Sequence, residues 1–256
     1  MATQKVIAVT GASRGIGAAI ACELARRGYR VGCLTRKGAG IERNTVDAAD
    51  TVDPPEAPPA DRLLNVRCDV NDEASVKQAF ATLARSAGRI DGLVNNAGVH
   101  LYGKSAELPT AVYEDVMDTN ARSVFVCSRE AYPHLAAAGG TIVNIGSFFD
   151  KLGVKQNLAY CASKAAVGAI TRCLAVEWAA NKIRVLNVAP GYIETELNAE
   201  AMKKGALHAF LEARVPTGGP GTAAQVARLV VALFAEDLPF LTGETITIDG
   251  GQGMAH

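Results

Sequence analysis

Seven short apolar, β-branched runs, separated by longer segments with helical spacing, leave this chain few folds to choose from. The runs are KVIAVT (5–10), RVGCL (30–34), LLNVRCDV (63–70), DGLVNN (91–96), TIVNIGS (141–147), KIRVLNVAP (182–190) and ETITIDG (244–250). Between most of them lie Ile16 to Arg27, Asp72 to Ala87, Thr110 to Ala138, Ala159 to Ala180 and Ala223 to Ala235, which carry apolar residues at helical intervals. Parallel neighbours are joined by crossover helices in right-handed βαβ units. The expected fold class is therefore α/β: one doubly wound parallel sheet of about seven strands with helices on both faces.

The exception is TVDPPEAPPA (51–60), where four prolines in ten residues forbid a regular helix. An irregular surface loop is expected over about 37–61, with one short turn near Asn44 to Asp50, and no domain boundary. With 256 residues at 49% hydrophobic content the chain buries a sizeable core. Lys plus Arg and Asp plus Glu are 26 each, so no net field draws it to nucleic acid or to an anionic membrane. No apolar run approaches the roughly 20 residues of a membrane span. Six cysteines (Cys22, Cys33, Cys68, Cys127, Cys161, Cys173) lack metal-ligand spacing and are expected as reduced core thiols, with no metal. MATQKVIAVT carries no charged leader, so the expected location is cytoplasmic.

TGASRGIG (10–17) follows the first strand and opens a helix. In that setting Gly11, Gly15 and Gly17 let the backbone approach a pyrophosphate, and the helix start offers unpaired N–H groups. The same glycines would also serve a plain tight turn. A second feature is AYCASKAA (159–166), where Tyr160 and Lys164 stand four residues apart. On a helix that spacing puts both on one face, within reach of a common ligand. Simple packing of the ring with a snorkelling lysine satisfies the same spacing.

Taken together, TGASRGIG, NNAG (95–98), Asn120, GS (146–147), YCASK (160–164) and PG (190–191) follow the order and spacing of short-chain dehydrogenases/reductases. The chain resembles that family from about residue 5 to residue 250, and is most similar to 3-oxoacyl-carrier-protein reductase members. The resemblance implies a single domain over 1–256 with a Rossmann-like sheet. It implies a catalytic set of Asn120, Ser147, Tyr160 and Lys164. Ser147 would bind the substrate oxygen, Asn120 would hold a water relaying protons, and Lys164 would bind the nicotinamide ribose. Tyr160 would be general acid for a carbonyl, or base for an alcohol. An ordinary tyrosine, with a pKa near 10, is a phenolate only about one time in a thousand at neutral pH. Lowering that value by two to three units takes ~3–4 kcal/mol, for which the Lys164 ammonium is a suitable source and an oxidised nicotinamide would add a second positive charge.

The resemblance also implies cofactor contacts from Gly11, Ser13, Arg14, Gly15, Ile16 and Gly17 in the glycine turn. Asp69 and Val70 would lie beside the adenine, and Asn96, Ala97 and Gly98 along the ribose. Pro190, Gly191, Ile193 and Thr195 would meet the nicotinamide. Tyr160 and Lys164 complete that set, while Asn95 is expected to support the sheet. Which dinucleotide binds turns on RVGCLTRKG, where Thr35 stands in the place of the acid that would hold a ribose 2′-OH. Arg36 follows it, and with Arg14 it suits a 2′-phosphate, because a guanidinium grips phosphate in a planar fork. NADP(H) is therefore favoured over NAD(H), with solvated surface arginines as the plain alternative.

Phe148, Phe149, Gln156 and Tyr192, with Ser147 and Tyr160, are the candidate substrate wall, and a lid is expected over about 192–216. His100 falls near the mouth unless it is only a solvated loop residue, and His134 and His208 read as helix-surface residues. The substrate class is a ketone or 3-oxoacyl group, although VHLYGKSAEL after NNAG departs from the acyl-carrier pattern. A NAD-dependent secondary-alcohol or sugar dehydrogenase is the enzymatic alternative, and a catalytically idle nucleotide sensor the non-enzymatic one. The resemblance implies a homotetramer built on helical faces such as Ala162, Ala165, Ala166 and Ala169, which packing within the chain would equally use.

Overall fold

The computed structural model describes residues 4–42, 58–196 and 198–254. The turn anticipated near Asn44 to Asp50 lies outside the described residues, as does most of the proline-rich loop.

The strands are β1 (Val6–Thr10), β2 (Arg30–Thr35), β3 (Leu63–Arg67), β4 (Gly92–Asn95), β5 (Gly140–Ile145), β6 (Ile183–Pro190), β7 (Ile193–Glu194), β8 (Gly221–Thr222) and β9 (Thr245–Ile248). Seven of them form one parallel sheet in the order β3-β2-β1-β4-β5-β6-β9. β7 and β8 pair separately over two residues each, a unit too short to show in any sequence pattern. In register, Val9 lies opposite Cys33 on one side and Val94 on the other.

The helices are α1 (Gly15–Arg26), α2 (Glu73–Ala87), α3 (Thr110–Met117), α4 (Ser123–Leu135), α5 (Leu158–Trp178), α6 (Ala199–Lys203), α7 (Gly205–Arg214) and α8 (Ala223–Ala235). Their ends follow local chemistry. Asp72 caps α2 by accepting from the Ala74 and Ser75 amides, and Gly88 closes it in the left-handed region at φ 81°. Thr222 and Gln225 form a reciprocal capping box at the start of α8.

Alternate residues of β1 face opposite layers, as a period of two requires. Ile7 and Val9 pack with Ile20, Leu24, Val226 and Val230 from α1 and α8. Val6 and Ala8 pack with Phe80, Leu83, Leu135 and Leu174 from α2, α4 and α5. Both faces are covered, which is why the strands read as continuous apolar runs rather than alternating ones.

Three details depart from expectation. The segment read as one helix over Thr110 to Ala138 is broken by a π-helical stretch, Asp118–Arg122, which carries Asn120. Cys173 is exposed and Cys161 half-buried, so only four of the six free thiols are core residues. Burial pushes Cys33 and Cys68 up to about 12, leaving them inert as nucleophiles. His208 is not a simple surface residue, because its Nδ1 meets the Met202 carbonyl at 2.9 Å. Among the described residues no helix is long and apolar enough to cross a membrane, and no three His, Cys, Asp or Glu side chains gather to hold a metal. Ala165 and Ala169 on α5 are exposed, so packing within the chain does not consume the face they share.

Candidate active site

The chain leaves β1 for β2 and β3 on one side, then returns to β4 on the other, so the strand order reverses between β1 and β4. A crevice opens outside the carboxyl ends of strands at such a point. The glycine turn sits there. Gly11 adopts φ 65°, and a Cβ on it would come within 2.9 Å of Ala97 Cα. A Cβ on Gly17 would meet the Gly11 carbonyl at 2.3 Å and Asn96 Nδ2 at 2.4 Å, so no side chain fits. Asn96 Nδ2 donates to the carbonyls of Thr10 and Gly11, at 3.0 and 3.2 Å, while Thr10 Oγ1 accepts from the Asn96 and Ala97 amides. The Asn96 side chain therefore braces the turn, and the Asn96 and Ala97 amides are both held by Thr10 Oγ1. Asn95 supports the sheet as expected, through Ser128 and Asn144.

Arg14, at the N-cap of α1, makes no side-chain cap. Instead the Gly15 amide donates to Glu196 Oε1 at 2.9 Å, across 181 residues. Nothing in the sequence marks Glu196, because the contact exists only once the segment after β6 folds over the turn. That segment is held by Asn198, whose Oδ1 accepts from the Thr195 amide at 2.7 Å and whose Nδ2 donates to the Ile193 carbonyl at 3.0 Å. The Glu42 amide bonds the Ser13 carbonyl at 2.9 Å, bringing the end of the β2 loop beside the glycine turn. Arg14 and Arg36 are both exposed. Asp69 Oδ1 accepts from the Asn71 amide, Val70 is buried at 7%, and the Gly191 amide bonds the Ile248 carbonyl beyond Pro190.

Ser147, two residues past β5, Tyr160 and Lys164 converge. Tyr160 and Lys164 are one turn apart on α5, and Lys164 Nζ stands 5.6 Å from the centre of the phenol ring. Burial raises the phenol above its ordinary value, and the hydrogen bond from Ser147 only partly opposes it. Burial is the largest cause of the shift and Lys164 is not among its causes, so the lowering expected from the lysine is not seen in the chain by itself. The lysine is itself enclosed, its Nζ donates to the Ile145 carbonyl at 2.8 Å, and burial pulls it down to about 8.

Asn120 belongs to the same cluster through α5. Its Nδ2 donates to the Val99 carbonyl and to Ser163 Oγ, at 2.9 and 3.1 Å, while its Oδ1 accepts from the Val99 amide at 2.8 Å. Both amide hydrogens are engaged, so the side chain ties the NNAG loop to α5. The π-turn is what aims it there, a common use of such turns. On the substrate side Phe148 and Phe149 are buried, their rings 4.7 Å apart, and Tyr192 stands 5.6 and 6.0 Å from them. Phe149 meets Tyr160 edge-on at 6.0 Å. His100 lies across the phenol, 4.4 Å from it and tilted by 41°. Gln156 is exposed and strained at φ 64°, and its carbonyl accepts from the Gly103 amide.

Residues 11–252 match the family described as Enoyl-(Acyl carrier protein) reductase. The chain is 37% identical to 2-(R)-hydroxypropyl-CoM dehydrogenase of Xanthobacter autotrophicus, over 96% of this chain and 97% of that protein. It is 34% identical to 3-oxoacyl-[acyl-carrier-protein] reductase of Homo sapiens, over the same shares of each. The solved acetoin dehydrogenase from Enterobacter cloacae superposes with a TM-score of 0.82 at 28% identity, covering 100% of this chain and 98% of that one. The chain belongs to the short-chain dehydrogenase/reductase family.

As a short-chain dehydrogenase/reductase it is an oxidoreductase of carbonyl or CH–OH groups, in a family that uses NAD(P). The crevice fits such a dinucleotide on its own terms. The glycines leave the cradle free of side chains, and α1 presents its amides to an anion, one of them already on a carboxylate.

Proposed function

We propose that the protein is an NADP(H)-dependent reductase of a small ketone, with Tyr160 donating the proton. The observation that carries this reading is the neutral, enclosed phenol hydrogen-bonded to Ser147 beside a buried lysine. A protonated phenol is a general acid, matched to reduction rather than to alcohol oxidation at neutral pH. Ser147 holds the substrate oxygen against the phenol. Lys164 keeps a positive charge one turn away, which favours the phenolate left after the proton has gone. Asn120 acts as a positioning residue, fixing α5 against the NNAG loop. The cofactor supplies hydride when bound.

Gly11, Ser13, Gly15, Ile16 and Gly17 would hold the pyrophosphate, Asp69 and Val70 the adenine, and Asn96, Ala97, Gly98 and Lys164 the ribose. Pro190, Gly191, Ile193 and Thr195 would flank the nicotinamide. The exposed guanidiniums of Arg14 and Arg36 support a 2′-phosphate contact, and Thr35, buried with Oγ1 on the Ala39 carbonyl at 3.0 Å, offers no competing acid. Arg36→Asp is accordingly expected to shift the ratio of NADPH to NADH dissociation constants toward NADH by about tenfold or more, since it removes a fork and adds a repulsive charge. An unchanged ratio in a paired fluorescence titration removes Arg36 from the site. The uncovered face of α5, with Val176 80% exposed, supports a homotetramer, which the sedimentation mass reads directly.

A further inference from the structure

We propose that Asn71 is a positioning residue: it ties the adenine end of the cofactor crevice to the turn that carries Asn120, and through that turn to Tyr160. The inference rests on the reading of Tyr160 as the proton donor and of Asp69 as an adenine contact.

Asn71 follows Asp69 and Val70 in the connection between β3 and α2, and three of its polar groups meet three different partners. Its amide donates to Asp69 Oδ1 at 3.1 Å. Its carbonyl accepts from the Arg122 guanidinium at 3.3 Å, and its Nδ2 donates to Thr119 Oγ1 at 2.9 Å, across 48 residues. Arg122 is held a second time by Glu73, in the first turn of α2, at 3.6 Å. Thr119 and Arg122 both belong to the π-helical stretch Asp118–Arg122, so two of its five residues are fastened to Asn71.

That fastening has something to act against. A π-turn is rare and lies between two ordinary α-helices here, α3 and α4, so it needs bonds from outside to keep it wound that way. Rewinding it as α would shift the register by one residue and turn Asn120 by about 100° relative to α4. Asn120 would then leave Val99 and Ser163.

Beyond the turn the contacts run on without a gap. Asn120 Nδ2 donates to Ser163 Oγ at 3.1 Å, and Ser163 Oγ donates to the Tyr160 carbonyl at 2.8 Å. Thr119, Asn120 and Ser163 are all buried, which keeps water from competing for these bonds. The carboxylate that would meet the adenine thus stands at one end of a bonded chain, and the backbone of the reacting tyrosine at the other. Filling the adenine end steadies Asp69, and Asn71 passes that steadiness to the π-turn.

The test uses wild type, Asn71→Ala, Asn71→Asp, Thr119→Val and the Asn71→Ala/Thr119→Val double variant, each saturated with whichever of NADPH and NADH wild type binds more tightly. Amide hydrogen exchange across residues 118–123 is read with and without cofactor, beside the single-turnover rate of 2-butanone reduction. Cofactor is expected to slow that exchange by about tenfold in wild type and by less than about twofold in Asn71→Ala. The saturated rate should fall about 10- to 100-fold in Asn71→Ala, as a displaced catalytic group predicts. Asn71→Asp keeps the bond, with the Thr119 hydroxyl now donating, and should recover most of both effects. The double variant should be no slower than the slower single one, because both changes remove the same bond.

The proposal is overturned if cofactor protects the turn no more in wild type than in Asn71→Ala, or if the two single losses multiply in the double variant. If wild type binds cofactor yet leaves 2-butanone unreduced, the ketone-reductase reading falls by itself, and the exchange data still decide whether Asn71 links the two ends.

Discussion

Tyr160→Phe is expected to bind NADPH within about twofold of wild type and to reduce ketones about 100- to 10,000-fold more slowly, the usual worth of a positioned acid. The change removes one oxygen and leaves the ring that packs between His100 and Phe149, 4.4 and 6.0 Å away. Its effect on folding should therefore be small. The measurement is a single-turnover rate beside an equilibrium titration. A full rate in the variant would remove Tyr160 from the chemistry, and a matching loss of cofactor affinity would make it a binding residue only.

Lys164→Met is expected to move activity and stability in opposite directions. Turnover should fall by about 100-fold or more, because the charge that favours the departing phenolate is gone. Stability of the ligand-free protein should rise. In the folded chain burial lowers the lysine from 10.5 to about 8, so the folded state disfavours the ammonium. Below pH 8 that preference opposes folding by about 3 kcal/mol. Methionine removes the penalty but leaves the Ile145 carbonyl without its partner, returning about 1–3 kcal/mol. The net gain, about 1 kcal/mol, corresponds to about 2–4 °C in Tm for a chain of this size.

The sign is checked by pH. Between about 8 and 10.5 the unfolded chain holds more protons at this residue than the folded one, so wild-type stability rises with pH across that window. The advantage of the variant should therefore be largest at pH 7, shrink through that window, and reverse above about pH 10.5, where only the lost bond to the Ile145 carbonyl remains. A variant that is less stable at pH 7 and equally so at pH 10 would show that Lys164 is not held as an unfavourable charge.

What the residues disclosed beforehand, and what they hid, divides by range. The seven sheet strands were legible because each is a short apolar run whose character is local. The Tyr160 and Lys164 pairing was legible for the same reason. The break at Asp118–Arg122 was not, because an extra residue per turn is held by bonds from Asn120 to Val99 and Ser163, 21 and 43 positions away. The rise of the Tyr160 phenol was not legible, because adjacency names a neighbouring charge but not the burial that raises it. His100 was placed near the mouth, yet its ring is oriented by Asn157, 57 residues on, which no local pattern carries.

The carboxylate of Glu196 on the Gly15 amide has a thermodynamic corollary. Under the proposed function, the ligand-free protein already keeps an anion at the head of α1, tethered to the segment that follows β6. Taking up a dinucleotide there is then an exchange of one negative charge for another, and not the filling of a bare socket. The measured dissociation constant contains the work of releasing that segment, so it understates the strength of the phosphate contacts themselves.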